Sequence, residues 1–230
     1  MLIECHDLNY RYPSSQAMIF RNLSCQISGS GFHALFGPSG AGKTTLAKMI
    51  AGLVDGFSGE IKVYPDNGIL YTYNLERLPG WSPVEDHLTA ITPVKKLPYL
   101  QKLAKSFGIS KCLETRFSKL SLGQQNRTNL TRYLLQDFNL LIMDESLANV
   151  DEATRDSIIL RIKELFPQKT FLYISHNVME VAKFCNTILV LRGVNKSPQV
   201  TSIKGQNHNG KDILDQRRLE QTMLEIVHAS

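Results

Sequence analysis

A glycine-rich segment with one lysine and two threonines is the part of this sequence best suited to chemistry. Residues 37–45 read Gly37-Pro38-Ser39-Gly40-Ala41-Gly42-Lys43-Thr44-Thr45. This spacing matches G-x-x-x-x-G-K-[ST], a loop whose backbone N–H groups surround phosphate oxygens. An apolar run at 32–36 predicts a buried strand before it, and residues 45–51 predict a helix after it. Because a helix N-terminus carries partial positive charge, this order predicts a nucleoside triphosphate site.

Two further groups of polar side chains follow apolar runs that are typical of parallel strands buried on both faces. Asp144 and Glu145 come directly after residues 139–143, and Ser175-His176 follows residues 170–174. Ligands gather at the carboxyl ends of the strands in open parallel sheets, so the acidic pair is expected near the phosphate loop. A solvated charge for Glu145 and a structural role for His176 are the alternatives for single residues of these types.

The remaining patterns supply the elements that must position these groups. Residues 1–30 predict two antiparallel strands with a turn at 13–15, and a capping box at Ser121 and Gln124 predicts a helix that runs to about Gln136. Further strands are expected at 60–64, 69–73 and 187–191, helices at 84–91, 97–107, 152–166, 177–185 and 212–227, and a loop or ragged hairpin at 193–210. The sequence therefore predicts an α/β fold, a phosphate-loop NTPase core with a mainly parallel sheet, an N-terminal antiparallel β subdomain and a small α-helical subdomain.

Composition limits the class of protein. The chain has 230 residues, of which 43% are hydrophobic, enough for one globular domain with a large core or for a domain plus a small lobe. The cysteines are far apart and favour reduced thiols over a disulfide or zinc framework, and no run resembles a signal peptide or a membrane span. The net charge of +5 is scattered along the chain and does not by itself indicate nucleic acid. Any membrane role is expected to come through a partner.

The order of the motifs resembles the ATPase subunit of ABC transporters. The discriminating piece is Leu120-Ser121-Leu122-Gly123-Gln124, which lies between the phosphate loop and the buried strand that ends in Asp-Glu. The similarity extends from about residue 2 to residue 191. The segments 75–81 and 84–86 are also similar to the nitrate, sulfonate and taurine importer branch.

The resemblance implies a role for each matching residue. Residues 37–45 would be the Walker A loop, with Lys43 on the β- and γ-phosphates. Thr44 and Asp144 would hold magnesium, and Asn74, which stands where the family has a glutamine, would reach it directly or through water. Glu145 would polarise the attacking water and His176 would contact the γ-phosphate. These roles suit phosphoryl transfer, which depends on positioning and charge neutralisation.

The resemblance also implies a site shared between two subunits. Ser121, Gly123 and Gln124 would act on the ATP of the opposite subunit, and Asp151 would belong to the loop that crosses the interface. Tyr12 is expected to stack on adenine, with Tyr10 as the fallback. The chain departs from the family pattern at Asn74, Leu122, Ser146 and Asn177, but none of these changes removes an essential charge, so ATPase activity is expected to survive.

The leading hypothesis is the ATP-hydrolysing subunit of a transporter that imports a small anionic or organic solute, with ATP and Mg²⁺ as cofactors. Its partners would be transmembrane permease subunits, a second ATPase subunit (a homodimer or a heterodimer) and an extracytoplasmic solute-binding protein, with no nucleic acid, and its place would be peripheral, at the cytoplasmic face of the membrane. The expected divisions are an ATPase domain at 1–192 with a helical lobe at about 75–136, and a C-terminal extension at 193–230; residues 74–90, with Trp81, would receive a permease helix.

Two other functions fit the sequence less well. A soluble ABC ATPase that acts on nucleic acid or ribosomes would need a second ATPase domain or a long coiled coil, and residues 46–119 are too few and too rich in proline for the latter. A small-molecule kinase with the same loop would leave Leu120–Gln124 unexplained.

Overall fold

A computed structural model describes residues 1–78 and 80–230 of the chain. Pro79, which belongs to the segment 75–81, lies outside the described residues. The strands in chain order are β1 (Leu2–Arg11), β2 (Met18–Ser28), β3 (Gly31–Phe36), β4 (Ser58–Tyr64), β5 (Ile69–Tyr73), β6 (Leu140–Asp144), β7 (Thr170–Ile174), β8 (Thr187–Leu191) and β9 (Val200–Lys204). The helices are α1 (Lys43–Ile50), α2 (Val84–Ile91), α3 (Leu97–Ser106), α4 (Leu122–Leu134), α5 (Glu152–Leu165), α6 (Val178–Phe184) and α7 (Gln216–Ala229).

Within these described ranges the strands form two sheets. The first is antiparallel, in the order β2-β1-β4. The second has the order β5-β6-β7-β3-β8-β9, and its strands are parallel apart from β9, which runs antiparallel to β8. Crossover helices separate most of the parallel strands, as parallel pairing requires. The predicted fold class, a mainly parallel α/β core with an antiparallel N-terminal sheet and helices, is confirmed.

The parallel sheet is buried on both faces, which explains its continuous apolar strands. Every residue of β6 and β7 is buried. Alternate side chains of β6 divide between two cores: Leu141 and Met143 pack with the larger group of helices, whereas Leu140 and Ile142 pack with α1 and the antiparallel sheet. The phosphate-loop helix and the antiparallel sheet thus cover the same face of the parallel sheet.

The C-terminal segment differs in detail from the sequence-based expectation. Residues 193–210 contain the regular strand β9, which pairs with β8 from Leu191↔Val200 to Thr187↔Lys204. Helix α7 begins at Gln216, later than predicted, because the side chain of Asp215 accepts a hydrogen bond from the backbone N–H of Arg218 at 3.1 Å and caps the helix there. Its residues Leu219 and Ile226 are buried in the main core. The extension is therefore continuous with the sheet and core of the ATPase domain.

Among the helices of the described residues, none combines the length and the apolar character that a bilayer span requires.

Candidate active site

The carboxyl ends of four neighbouring strands meet at one edge of the parallel sheet. Strand β3 leads into residues 37–42, β5 into Asn74, β6 into Asp144-Glu145, and β7 into Ser175-His176. Because these strands are parallel, side chains that are far apart in the sequence are brought to the same edge. The predicted meeting of the acidic pair and the phosphate loop is confirmed.

The phosphate loop needs glycine at two positions. Gly37 has a φ of 140°, and a Cβ there would lie 2.2 Å from the carbonyl oxygen of Leu191. Gly42 has a φ of 95°, in the left-handed region, and comes directly before α1, where no side chain caps the helix. The N-terminal N–H groups of α1 therefore remain available for an anion. Pro38, Ser39 and Gly40 are exposed at the tip of the loop, and Ala41 is buried.

Lys43 lies inside this loop and is almost fully buried. Its Nζ donates hydrogen bonds to the carbonyl oxygens of Gly37 at 2.8 Å and Pro38 at 2.9 Å. Burial lowers the pKa of Lys43, while the negative charges of Glu145 and Asp144 act in the opposite direction. The ammonium group is thus held at the phosphate loop by weak acceptors that phosphate oxygens can replace.

Oxygen donors suitable for magnesium lie beside the loop. Thr44 and Asp144 line one cleft of about 610 Å³ together with Glu145 and Asn74. Hydroxyl and carboxylate oxygens are the ligands that Mg²⁺ prefers. Tyr71 donates its phenolic hydrogen to Asp144 Oδ2 at 2.6 Å, and burial, followed by the Asp144 contact, raises the pKa of Tyr71 so that it stays protonated. This contact orients the carboxylate and leaves its other lone pairs for a cation, so Thr44 and Asp144 fit the predicted metal site.

The candidate catalytic pair is in direct contact. His176 Nε2 lies 2.6 Å from Glu145 Oε1, and both side chains are partly exposed. Glu145 has a φ of 53°, a left-handed conformation that costs a non-glycine residue of the order of 1–3 kcal/mol. Its backbone N–H donates to the carbonyl of Ile174 at 3.2 Å, which ties the end of β6 to β7. The strained backbone places the Glu145 carboxylate beside His176 at the mouth of the cleft.

Tyr12 lies against the phosphate-loop helix. Its hydroxyl is 2.8 Å from Thr45 Oγ1, and its ring meets that of Tyr10 edge to face with centroids 5.1 Å apart. Tyr12 is 36% exposed, whereas Tyr10 is 6% exposed and belongs to the core. Tyr12 can therefore offer a ring face to a base, and the fallback residue Tyr10 cannot. The Thr45 side chain is buried, and its hydroxyl is engaged with Tyr12. A contact of Thr45 with a phosphate would therefore be made by the backbone N–H of Thr45.

The predicted inter-subunit residues lie apart from these groups. The capping box is confirmed: Ser121 N donates to Gln124 Oε1 at 2.9 Å, and Gln124 N donates to Ser121 Oγ at 3.3 Å. Two clefts lie beside Glu145: the one lined by Thr44 and Asp144, and a second one lined by His176 and Asn177. Among the described residues that line these two clefts, none comes from the segment 121–124. Asp151 caps α5 by accepting from the Thr154 N–H at 3.0 Å, and this bond lowers the pKa of Asp151. Within one chain these residues do not complete the cleft.

Sequence reasoning missed a buried carboxylate behind His176. Glu180 Oε2 accepts hydrogen bonds from Tyr173 Oη at 2.9 Å and Ser175 Oγ at 2.8 Å. Glu180 Oε1 lies 2.5 Å from Arg155 Nη1, a charge contact rather than an aligned hydrogen bond. The spacing of Glu180 one turn into α6 is a weak signal, and no local pattern pairs it with α5.

The structure gives Asn74 different neighbours from those expected. Its Oδ1 accepts hydrogen bonds from Asn126 Nδ2 at 3.0 Å and Asn149 Nδ2 at 2.9 Å. Sequence reasoning did not connect either of these asparagines with Asn74. The predicted magnesium contact of Asn74 therefore competes with two amide donors.

Comparison with known proteins agrees with this geometry. The profile described as ABC transporter matches residues 20–148, more than half of the chain. The zinc transport system ATP-binding protein TroB of Treponema pallidum is 29% identical over an alignment of 208 residues, and the alignment covers 82% of this chain and 77% of TroB. The molybdenum import ATP-binding protein ModC of Pseudomonas syringae is 32% identical over an alignment of 187 residues. That alignment covers 72% of this chain and 51% of ModC, so the chain spans about half of that relative.

A solved structure also matches the fold. A bacterial Atm1-family ABC exporter with ATP bound superposes with a TM-score of 0.74 at 21% identity, covering 83% of this chain and 37% of that one. The profile match and the converging site residues agree, and the chain therefore belongs to the ABC transporter family, of which it carries the ATP-binding ATPase domain.

Proposed function

We propose that this chain binds ATP together with Mg²⁺ and hydrolyses it as the subunit that powers a membrane importer. The observation that carries the proposal is the convergence of Lys43, Thr44, Asp144, Glu145 and His176 at one edge of the parallel sheet. Phosphoryl transfer depends on such positioning and charge neutralisation more than on covalent chemistry.

Each residue has a role that its surroundings support. Lys43 exchanges the carbonyls of its own loop for β- and γ-phosphate oxygens. Thr44 and Asp144 hold Mg²⁺, which when bound supplies positive charge at the phosphates. Glu145 accepts a hydrogen bond from the attacking water, and His176, 2.6 Å away, fixes the direction of that carboxylate and reaches the γ-phosphate.

The complete site is proposed to need two ATPase subunits, as a homodimer or with a related partner. Ser121, Gly123 and Gln124 lie at the N-terminus of α4 but do not line the clefts beside Glu145. The exposed side chain of Ser121 and the helix N-terminus suit a phosphate held by a facing subunit. Asp151 lies in the loop that we place at this interface, and Tyr12 provides the ring for adenine.

The transport partner is proposed to be a separate permease subunit at the cytoplasmic face of the membrane. TroB and ModC are named for zinc transport and molybdenum import. For the present chain we propose import of a small anionic or organic solute, which an extracytoplasmic binding protein delivers to the permease. The branch proposed remains that of the nitrate, sulfonate and taurine importers. Exposed apolar side chains at Leu75 and Trp81, which are 53% and 75% exposed, support residues 74–90 of the helical lobe as the groove for a permease helix.

The test measures ATP binding and phosphate release by the full chain, alone and with its co-purified permease. In Glu145→Gln, hydrolysis should fall about 100-fold or more, as expected for a lost general base, while Mg²⁺·ATP binding is retained. Lys43→Ala should lose binding itself. The matched control is Glu152→Gln, an exposed glutamate in the first turn of α5 that should behave as the parent. Normal hydrolysis in the assembled Glu145→Gln complex would refute the catalytic assignment, and recovery of nucleic acid instead of a multi-span protein would refute the transport role.

A further inference from the structure

The carboxamide of Asn74 joins three separate segments of the chain. Asn74 follows β5, Asn126 lies in α4, and Asn149 lies in the loop that follows Glu145. Asn74 Oδ1 accepts from Asn126 Nδ2 at 3.0 Å and from Asn149 Nδ2 at 2.9 Å. A carbonyl oxygen has two lone pairs, so these two donors use its full accepting capacity.

The backbone of Asn74 is held as well. Its N–H donates to the carbonyl of Asp144 at 3.0 Å, which continues the β5–β6 pairing beyond the last strand residue. Asn126 is only 2% exposed, so its amide has little access to water. If Asn74 Oδ1 turned away, a buried donor would lose its partner, which is unfavourable.

Contacts of Glu76 extend the attachment along α4. The Glu76 carbonyl accepts from Asn129 Nδ2 at 2.6 Å, and its carboxylate contacts Tyr133 Oη at 2.8 Å and the guanidinium of Arg132. The spacing of Asn126, Asn129 and Tyr133 by three and four residues places them on one face of the helix. Residues 74–76 therefore lie along one face of α4.

The loop after Glu145 also contacts the beginning of α4. A Cβ at Gly123 would lie 2.5 Å from the carbonyl oxygen of Asn149, so the two backbones are closely packed. Ser146 Oγ donates to the carbonyl of Thr72 at 3.3 Å, which brings the same loop against β5. Asn74 is thus at the junction of β5, α4 and the residues that follow Glu145.

We propose that Asn74 is a positioning residue and not a magnesium ligand. Through Asn126 and Asn149 it holds α4 and the loop 146–150 against the end of β5, and so sets the position of Glu145 relative to Ser121, Gly123 and Gln124. This inference rests on the proposed function for the meaning of those two groups, but the contacts themselves do not depend on it. Thr44 and Asp144 then supply the protein ligands for the cation.

The test compares Asn74→Ala, Asn126→Ala and Asn149→Ala in the full chain. In the absence of nucleotide, hydrogen exchange of residues 145–151 should rise roughly tenfold in Asn74→Ala and in Asn149→Ala, because the loop loses a hydrogen-bonded anchor. Asn126→Ala leaves the Asn149–Asn74 bond in place and should raise exchange mainly in α4. Combining Asn74→Ala with Asn149→Ala should add little to either alone, because both remove the same hydrogen bond. Asn74→Asp has two oxygens that can accept the hydrogen bonds from Asn126 and Asn149, so hydrogen exchange of residues 145–151 should be as slow in this variant as in the parent. Asn139→Ala, which removes a bond to Asn67 at the other end of β6, is the matched control and should leave 145–151 unchanged.

A second measurement separates positioning from metal binding. The Mg²⁺ concentration that half-saturates ATP binding should change by the same amount in Asn74→Ala and in Asn126→Ala, whose side chain is engaged with Asn74. An increase of about tenfold or more in Asn74→Ala alone, with unchanged exchange at 145–151, would show a ligand and overturn the proposal. Failure of the parent chain to bind Mg²⁺·ATP would contradict the proposed function, while the nucleotide-free exchange experiment would still decide this inference.

Discussion

The buried carboxylate of Glu180 gives the most demanding test of how the site is supported. Glu180 is 3% exposed, accepts from Tyr173 and Ser175, and faces the Arg155 guanidinium at 2.5 Å. Ser175 Oγ also accepts from the N–H of Asn177 at 3.1 Å. This cluster therefore fixes the backbone on both sides of His176.

The perturbation is Glu180→Gln, which is nearly isosteric. The amide oxygen can still accept from both hydroxyls, but the amide nitrogen then faces Arg155, whose charge has lost its partner. Removing one member of a buried ion pair costs about 3–5 kcal/mol. Because the Arg155 side chain keeps 16% exposure to water, we expect a loss near the lower limit, about 3 kcal/mol. In a chain of this size that loss corresponds to a fall in Tm of about 6–12 °C.

The assay is urea unfolding followed by circular dichroism, with thermal unfolding as a second measure. Arg155→Met should cost a similar amount because it leaves the carboxylate alone. The double variant Arg155→Met/Glu180→Gln should recover most of the stability, because it removes both charges. A loss below about 1 kcal/mol for Glu180→Gln, the range of an exposed ion pair, would refute this reasoning, and so would simple addition of the two single losses in the double variant.

Two further predictions concern the buried histidine His33 and the glycine Gly123 at the beginning of α4. Burial lowers the pKa of His33 to about 4, against nearby carbonyls of Gly29 and Ser30 that act in the opposite direction, so the unfolded chain takes up the proton first as the pH falls. The contribution of His33 to stability should be fully present above pH 6.5, and the free energy of unfolding should decline by up to about 3 kcal/mol as the pH falls to 4. Urea midpoints measured across this pH range should decline less steeply in His33→Leu than in the parent. Equal dependence of the two midpoints on pH would exclude a lowered pKa of His33 as the cause. Gly123→Ala should destabilise the chain by about 1–3 kcal/mol despite the better helix propensity of alanine, because its Cβ would lie 2.5 Å from the Asn149 carbonyl oxygen. Gly193→Ala is the control and should be neutral, because a Cβ there meets nothing within 4 Å. Equal urea midpoints for the two variants would contradict the close packing at Gly123.

The phosphate loop and most of the strands could be predicted from the sequence, because their geometry depends on residues that are close together in the chain. The phosphate loop was predictable because its glycines, lysine and following helix form one continuous unit. Strands β7 and β8 were predicted at their observed bounds because continuous apolar runs of that length suit a sheet covered on both faces. Strand β5 was also predicted at its observed bounds, although it lies at the edge of the sheet and only its Thr72 is buried. Strand β9 was expected only as a loop or ragged hairpin, because at the edge of the sheet it carries polar residues and has just one buried side chain, Ile203.

Tertiary structure alone decided which polar groups meet. Asp144 contacts Tyr71, Glu180 contacts Arg155, and Asn74 contacts both Asn126 and Asn149. In most of these pairs, many elements of the chain lie between the two residues. A hydrogen bond between such residues leaves no periodic pattern, because strand order and helix packing, not spacing along the chain, set the distance between them. The sequence by itself therefore determined which chemistry the sheet edge presents, and the folded packing determined how each catalytic or binding side chain is held there.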